Sequence, residues 1–318
     1  MKDFRNLLVA VDLASGDELA SEALVPPSEA AVAQAIWLAG NTGARLTFFY
    51  ALNVSERAQQ LIAEDDDASW NVLSHAKHVL AQLVQRAKNA GAFADYLAVF
   101  GKSWYEIVRQ VEQNGFDLVI AGSRHQSRAR AALLGSTGMK LLRKCTCPVW
   151  ITQPSTHRTL SSVVAATDFS PACDLAVDLA ASLVELDAGV LHVVHALARD
   201  DEDAMRKGGV SEPNIAGYRQ EVELAAQREM ERVLGRSSLQ ALGEKVQVHI
   251  TAGDPQHVIL QHVETHAADL LAMGTLARSG LSGMLMGNTA ERILPNIECS
   301  LLAVKPTEFS CPIKFGAA

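Results

Sequence analysis

The sequence AGSRHQSRARAALLGST at residues 121–137 returns as MGTLARSGLSGMLMGNT at residues 273–289. In both copies a short apolar run ends in glycine, a loop of fixed length follows, and a second glycine precedes small polar residues that open a helix. The first glycines, Gly122 and Gly274, lie 152 residues apart, and the second glycines keep the same separation. A repeat kept in register across half a chain predicts two copies of one domain.

Length and charge agree with two ordinary globular domains. The 318 residues fit two domains of about 100–200 residues, which we place at residues 1–154 and at residues 160–318, the latter with a C-terminal tail. The net charge of −8 argues against nucleic acid or an anionic membrane as a partner, because phosphate groups select basic faces. The sequence has no apolar run of about 18 residues, so no membrane-spanning helix is expected.

Cysteine usage and the N-terminus both favour a cytoplasmic protein. The start of the chain, MKDFRNLLVAVD, becomes a strand at once and lacks the apolar core of a signal peptide. The five cysteines, Cys145, Cys147, Cys173, Cys299 and Cys311, are odd in number and contain no CxxC pair, which favours free thiols. The pair Cys145 and Cys147 is interpreted as packing beside a strand, with a redox or metal pair as the alternative.

Five pairs of apolar runs predict the strands of the two domains. Continuous apolar runs are typical of strands that are buried on both faces of a parallel sheet. The pairs are residues 6–12 with 162–168, 47–51 with 191–196, 96–101 with 246–253, 117–122 with 269–274, and 147–152 with 299–306. Helical patterns lie between them. Right-handed crossovers then give an α/β fold, a doubly wound parallel sheet with helices on both faces in each domain.

Capping residues place several helix starts. Ser170 before Pro171 combines an N-cap acceptor with proline at the first helical position, and Asp254 begins another helix in the same way. In the first half, Ser103 and Glu106 have the spacing of a capping box.

Each half also has an acidic stretch after its second strand, at residues 64–67 and 200–203. A run of like charges is usually a solvated loop, so we expect loops here, with a metal or partner site as the alternative.

The repeated glycines are expected at the carboxyl edge of each sheet, where such folds bind ligands. An aspartate ends the first strand of each half, Asp12 or Asp168, and an acidic group there can accept hydrogen bonds from a ribose hydroxyl or an adenine amine. Gly122 and Gly274 follow the fourth strands, where glycine allows positive φ and close backbone approach.

The second glycines, Gly135 and Gly287, stand where the loop becomes a helix. Free N–H groups and the positive end of the helix dipole make an anion site there, and the following Ser136-Thr137 or Asn288-Thr289 adds side-chain donors. The pattern contains neither a Walker lysine nor GxGxxG. The alternative is that these residues are ordinary helix-start chemistry and hold no ligand.

These residues resemble the universal stress protein family, whose nucleotide-binding members carry the motif G-x2-G-x9-G-[S/T] after the fourth strand. The spacing is kept twice, at Gly122, His125, Gly135 and Ser136 and again at Gly274, Ala277, Gly287 and Asn288. The segments VAVDLAS, ATDFSPA and AGDPQHVI also look like family segments. The resemblance covers nearly the whole chain and is to the tandem, two-domain type.

The resemblance implies a flavodoxin-like sheet in each domain, of the adenine nucleotide alpha hydrolase-like type with strand order 3-2-1-4-5. It implies that the two fifth strands pair as an internal pseudo-dimer, and a homodimer of tandem chains stays open. It also implies ATP or AMP as the ligand, with Mg²⁺ as a possible companion.

Site residues are carried over from the same resemblance. In the second domain, Asp168 and the backbone at Ala196 hold the adenine–ribose end, Gly274 and Ala277 line the ribose and inner phosphate, and Gly287, Asn288 and Thr289 hold the outer phosphates. The matching positions of the first domain are Asp12, Ala51, Gly122, His125, Gly135, Ser136 and Thr137.

Both copies depart from the motif at its second glycine. His125 stands there in the first domain and Ala277 in the second. A histidine side chain can block a close backbone approach, whereas alanine intrudes by one methyl group. We therefore expect the second domain to be the main nucleotide site. Arg124, Arg128 and Arg130 near His125 attract phosphate or form a solvated basic loop.

Other functions stay open at this point. The chain acts as a stress-response regulator that binds a nucleotide, as a scaffold that binds proteins or another small molecule, or as a weak ATPase with Mg²⁺. No catalytic residue is assigned. His262 and His266 share a helix face, and His192 and His195 point to opposite faces of a strand. These histidines are interpreted as surface residues, so no metal ligand is assigned, and metal binding is the alternative.

Overall fold

The computed structural model describes residues 4–13, 23–55, 57–60, 72–123, 135–154, 159–276 and 286–315. They form two compact units. The first holds the described residues up to position 154 and also the tail from Glu308 to Phe315, and the second holds the described residues from Thr159 to Thr307. The sequence placed this tail with the second domain. In the structure its Phe315 ring lies 5.2 Å from the ring of Tyr105, between ring centroids.

The first unit alternates strands and helices along the chain. Its elements are β1 (Asn6–Ala10), α1 (Pro26–Thr42), β2 (Arg45–Leu52), α2 (Val72–Asn89), β3 (Phe93–Phe100), α3 (Ser103–Asn114), β4 (Leu118–Gly122), α4 (Ser136–Lys144) and β5 (Val149–Thr152). All strand pairs are parallel, and the order is β3-β2-β1-β4-β5. This confirms the doubly wound arrangement and the 3-2-1-4-5 order.

The second unit repeats that order with longer helical insertions. Its elements are β6 (Ser162–Ala166), α5 (Pro171–Asp187), β7 (Val190–Leu197), α6 (Asp200–Lys207), α7 (Glu212–Leu234), α8 (Ser237–Leu242), β8 (Val246–Ala252), α9 (Pro255–Thr265), β9 (Leu270–Gly274), α10 (Asn288–Ile293) and β10 (Ser300–Val304). Its strands are also parallel, in the order β8-β7-β6-β9-β10.

Burial of consecutive strand residues explains why the apolar runs located the strands. Leu7, Leu8 and Val9 of β1 are all fully buried, as are Val163 and Val164 of β6. Neighbouring residues on a strand point to opposite faces. Both faces of each central strand are therefore covered, as a doubly wound sheet requires.

The predicted helix starts are found at two of three positions. Ser170 accepts a hydrogen bond from the backbone N–H of Cys173 (3.4 Å), and Asp254 accepts one from that of His257 (3.2 Å). The capping box at Ser103 and Glu106 is wrong, because α3 begins one residue earlier, with Lys102 at its N-cap. The buried Glu106 carboxylate forms an ion pair with Arg109 instead.

The acidic stretch at residues 200–203 is helix α6 and not a loop. Three arginines, Arg199, Arg206 and Arg219, form ion pairs with its acids, and the buried Glu202 accepts two hydrogen bonds from Arg219. Those cations offset the like-charge repulsion that led to the loop interpretation. The corresponding stretch at residues 64–67 lies outside the described residues.

Two aspartates of α5 anchor the inserted helices of the second unit. Asp174 accepts hydrogen bonds from Arg232 (2.8 Å) and Arg236 (3.3 Å). Asp178 accepts from Arg236 and from the hydroxyl of Ser238 (2.6 Å). These bonds tie α7 and the start of α8 to α5. Among the described helices, none is long and apolar enough to cross a membrane.

Candidate functional site

Each unit has a cleft at the carboxyl ends of its strands, where the sequence predicted a ligand. The cleft of the first unit encloses about 1120 Å³. Predicted residues that line it are Asp12, Ala51, Gly122, Gly135, Ser136 and Thr137. The strand order explains this convergence, because it puts the ends of β1, β2 and β4 side by side.

Asp12 follows β1 and is held in place by two hydrogen bonds between its backbone and the side chain of Ser28. Its N–H donates to the hydroxyl of Ser28 (3.0 Å), and that hydroxyl donates back to the Asp12 carbonyl (3.1 Å). The side chain of Asp12 is exposed to the cleft. Burial, and then the nearby Asp12 charge, raises the pKa of Tyr50 to about 12. The phenol is therefore a neutral hydrogen-bonding group at physiological pH, and a carboxylate stands beside it.

Gly122 allows a close backbone approach, one of the two roles that the sequence offered for it. Its φ is not in the left-handed region. A Cβ atom on Gly122 would lie 2.3 Å from the carbonyl oxygen of Pro27, in the first turn of α1. The glycine therefore lets the helix start pack directly on the strand end, and the positive φ that glycine also allows is not adopted.

The first cleft is also lined by basic groups that the sequence interpretation missed. Gly135 is the N-cap of α4, with Ser136 and Thr137 in its first turn. Lys102 and Lys140 also line the cleft. The Lys140 ammonium lies 5.0 Å from the ring centroid of Trp104, another lining residue. The sequence gave no hint that Lys102 and Lys140 line one cleft, because Lys102 precedes α3 and Lys140 lies in α4.

The cleft of the second unit is smaller, about 320 Å³. Predicted residues that line it are Asp168, Ala196, Gly274, Gly287, Asn288 and Thr289. The Asp168 carboxylate accepts a hydrogen bond from the N–H of Ser170 (3.0 Å). His195 also lines this cleft, and its Nδ1 lies 2.8 Å from the Thr167 carbonyl oxygen. That contact requires a proton on Nδ1 and leaves Nε2 as the other polar atom of the ring.

Gly274 lines the second cleft, and Phe169 packs on His195, which also lines it. The Phe169 ring lies 4.2 Å from the His195 ring, between centroids, and its backbone has φ 64°. Left-handed backbone is strained for an aromatic residue. A Cβ atom on Gly274 would lie 2.9 Å from the sulfur of Cys173. Gly274 also lacks positive φ, so here too the structure uses the missing side chain and not the left-handed backbone.

The helix start of the second cleft is short and less basic. Gly287 is the N-cap of α10, and its N–H donates to the Thr275 carbonyl (2.9 Å). No lysine or arginine is among the described residues that line this cleft. Burial, and then the Asp168 charge, raises the pKa of the Cys173 thiol to about 11. Cys173 is therefore a neutral packing group here and not a nucleophile.

Two separate segments of the chain match one known protein family. The sequence model of the universal stress protein family matches residues 3–153 and again residues 160–305. The chain belongs to the universal stress protein family. Its two units are therefore two tandem universal stress protein domains.

Relatives of similar length have the same tandem organisation. The chain is 26% identical over 324 residues to universal stress protein E of Photorhabdus laumondii, covering 99% of both chains. It is 25% identical over 328 residues to universal stress protein E of Escherichia coli K12, covering 99% of this chain and 98% of the relative. The tandem type expected from the sequence is confirmed.

Solved structures agree with the fold. A universal stress protein from Archaeoglobus fulgidus superposes with a TM-score of 0.67 at 23% identity, covering 95% of this chain and 98% of that one. A protein of unknown function from Pseudomonas aeruginosa PAO1 gives 0.66 at 21% identity, covering 96% and 94%. At these identities the likeness supports the fold alone.

Two residues that decided the expected preference between the domains lie outside the described part of this universal stress protein. They are His125 and Ala277, the departures from the glycine motif. The arginines at positions 124, 128 and 130 also lie outside it. Among the described residues, the two clefts differ in volume and in the two lysines that line only the first.

The cysteines of this universal stress protein are free thiols, and four of the five are buried. The sulfurs of Cys145 and Cys147 lie 3.5 Å apart beside β5. Both side chains are part of the core, which favours the packing interpretation.

His262 and His266 are not isolated on the surface, because histidines of β7 and β8 join them. His262 and His266 are half-buried and His192 of β7 is buried, so the interpretation of these histidines as lone surface residues is wrong.

Proposed function

We propose that this universal stress protein binds an adenine nucleotide, ATP or AMP, and acts as a stress-response regulator in the cytoplasm. One observation carries the proposal. Each cleft has a carboxylate at the end of its first strand and a helix start after its fourth strand, Asp12 with Gly135 and Asp168 with Gly287, lining one cavity. The free cysteines suit the reducing cytoplasm.

The chemistry of the two ends fits the two ends of a nucleotide. A carboxylate accepts hydrogen bonds from ribose hydroxyls or from the adenine amine, and the backbone of Ala51 or Ala196 borders the same end. Backbone N–H groups at a helix start bind phosphate and are helped by the helix dipole. In the first unit, Ser136 and Thr137 add hydroxyl donors at that start.

The lining residues favour the first unit for ATP, whereas the motif favoured the second. Triphosphate carries several negative charges, and Lys102 and Lys140 offer cations in the larger cleft. The second cleft, near the lower end of the usual range of about 300–1,000 Å³ for ligand sites, better suits AMP. Mg²⁺ bound to the phosphates would supply a countercharge in either cleft.

Calorimetry with ATP and with AMP tests whether the protein binds these nucleotides and which cleft binds each of them. The samples are the wild-type chain, Gly135→Val and Gly287→Val, since a branched side chain at the N-cap covers the helix start. We expect Gly135→Val to weaken ATP binding at least tenfold and Gly287→Val to weaken AMP binding. Thermal unfolding of each variant without nucleotide shows whether its fold is intact.

Each outcome separates the candidate functions. Equal binding by all three proteins would refute the assignment of phosphate to the helix starts. Loss of ATP binding in Gly287→Val alone would restore the second unit as the ATP site. Absence of binding in the wild type would favour a scaffold that acts through protein contacts or another small molecule.

A further inference from the structure

Four histidines meet in the second unit, away from the nucleotide cleft. His192 lies on β7, His249 on β8, and His262 and His266 at the end of α9. None of the four is among the described residues that line the cleft. In the β7–β8 register His192 pairs with Gln247, so His249 is two residues further along and on the same face of the sheet. The helix pair is at i and i+4, one face of α9.

The ring nitrogens are close enough to share one ion. A ring nitrogen of each of His192, His249 and His266 lies within 4.8 Å of the other two. Nδ1 of His192 lies 3.1 Å from Nε2 of His249. A tetrahedral zinc ion with nitrogen ligands at about 2.0–2.1 Å holds them about 3.3 Å apart. The spacing of this pair therefore matches the spacing that zinc imposes.

His262 continues the cluster toward the sheet. Its Nδ1 lies 3.4 Å from Nε2 of His266, and its Nε2 lies 3.0 Å from the hydroxyl of Thr251 on β8. A proton on Nε2 of each ring makes both contacts hydrogen bonds, from His266 to His262 and from His262 to Thr251. Nδ1 of His266 then keeps its lone pair. Such an outer partner fixes the tautomer and ring orientation of a metal ligand.

Burial favours the neutral imidazole in three of the four histidines. It lowers the pKa of His192 to about 4, helped by the neighbouring histidines, and lowers those of His249 and His262 for the same reasons. Neutral imidazole is the form that ligates metal. His192 itself is 6% exposed, so its ring nitrogens need partners inside the protein.

We propose that His192, His249 and His266 bind one Zn²⁺ ion, with His262 as a positioning residue that acts through His266. Three imidazoles suit zinc, and a fourth position remains for water or a small anion. The ion joins β7, β8 and α9, so it braces the edge strand β8 against the helix. The rings of His192 and His266 stack at 3.7 Å between centroids and turn out of that stack on binding, because the lone pairs lie in the ring planes.

Equilibrium dialysis of the full chain against Zn²⁺, followed by elemental analysis, tests the proposal. The protein carries no histidine tag and is first treated with a chelator. We expect one zinc ion per wild-type chain, and at least tenfold weaker binding in His192→Gln, His249→Gln and His266→Gln. His257→Gln is the matched control, because His257 is exposed on the same helix α9. We expect it to bind as the wild type does.

Two further measurements keep the proposal falsifiable. Loss of an outer-shell partner typically costs about 10–100-fold in metal affinity, so His262→Gln should weaken binding while one ion per chain still binds at saturation. Visible absorption of the Co²⁺-substituted protein should change between wild type and His262→Gln if ring orientation changes. Circular dichroism without metal identifies a variant that has unfolded. His266 follows the last turn of α9 and is not part of the sheet, so we expect His266→Gln to disturb the sheet least.

Three outcomes of these measurements would contradict the zinc site. The zinc site would be refuted if the wild-type protein bound no zinc. It would also be refuted if His192→Gln and His249→Gln bound as much zinc as the wild type does. A loss in His257→Gln equal to that in His266→Gln would mean that binding is nonspecific. Nucleotide binding measured on the same variants is expected to be unchanged, so failure of this proposal and failure of the nucleotide proposal are distinguishable.

Discussion

The backbone of Gly122 lies against Pro27 so closely that a Cβ atom on Gly122 would be 2.3 Å from the Pro27 carbonyl oxygen. Neither group is a flexible side-chain end, so any side chain must push α1 away from the end of β4. Forcing extra atoms into a packed site costs about 1–3 kcal/mol. We expect Gly122→Ala to lower the free energy of unfolding by at least that amount, measured by urea denaturation without nucleotide.

Gly217 provides the control for this substitution. It lies inside α7, and a Cβ atom there would meet nothing within 4 Å. Alanine in a helix interior is favoured over glycine by about 0.5–1 kcal/mol. Gly217→Ala should therefore stabilise the chain. If Gly122→Ala behaves like Gly217→Ala, then the glycine is not needed for packing, and its place in the motif must be explained by ligand binding alone.

The equivalent glycine of the second unit predicts a rescue. A Cβ atom on Gly274 would lie 2.9 Å from the Cys173 sulfur and 3.3 Å from the Ala172 Cβ. Because the closest atom is a side-chain end, Cys173→Ala removes it. We expect Gly274→Ala to destabilise by about 1–3 kcal/mol and to be less destabilising when Cys173→Ala is present. Strict additivity of the two changes, measured by a double-mutant cycle, would contradict this account.

Much of the fold follows from the sequence because buried parallel strands are continuous apolar runs. All ten predicted runs are strands, and the convergence of Asp12, Gly122 and Gly135 follows from the strand order. The capping box at Ser103 failed by one residue, since Lys102 is the N-cap. The capping pattern alone did not fix the first helical residue, because Glu106 forms an ion pair with Arg109, three residues later, instead of capping the helix start.

The missed features arise from tertiary contacts between distant segments. Gly122 is needed because Pro27 packs against it. His249 carries no pattern of its own, yet the register of β8 on β7 places it beside His192. Pair spacing along the chain detects residues on one helix, such as His262 and His266, but it cannot detect a cluster whose members belong to three elements.

Lys140 and Lys144 allow a test of the role of lysine charge in the first cleft. Both ammonium groups lie over the Trp104 ring, at 5.0 Å and 5.7 Å from its centroid, but of the two only Lys140 lines the cleft. A hydrogen bond to a charged group contributes about 1.5–3 kcal/mol. We expect Lys140→Gln to weaken ATP binding about tenfold or more and AMP binding less. Lys144→Gln, which removes the same charge, should leave both affinities nearly unchanged in calorimetry.

Equal losses in the two lysine variants would indicate long-range attraction rather than contact. That outcome would also show as a steep dependence on salt, because exposed charges are screened within about 8 Å at physiological ionic strength. A contact made inside the cleft is screened less. Measuring both variants at two salt concentrations separates these cases.

Asp178 is expected to be the main anchor of the inserted helices α7 and α8. Its carboxylate accepts from Arg236 and from the buried Ser238 hydroxyl, so Asp178→Ala leaves both donors without this acceptor. An unsatisfied buried group costs about 1–3 kcal/mol, and we expect a loss of that size in the free energy of unfolding, with faster hydrogen exchange confined to α7 and α8.

Glu229→Ala is the control, because Glu229 pairs with Arg232 but its side chain is 50% exposed. Exposed pairs contribute about 0–1 kcal/mol. A loss in Glu229→Ala as large as that in Asp178→Ala would mean that total charge, and not the buried hydrogen bonds of Asp178, holds these helices on α5.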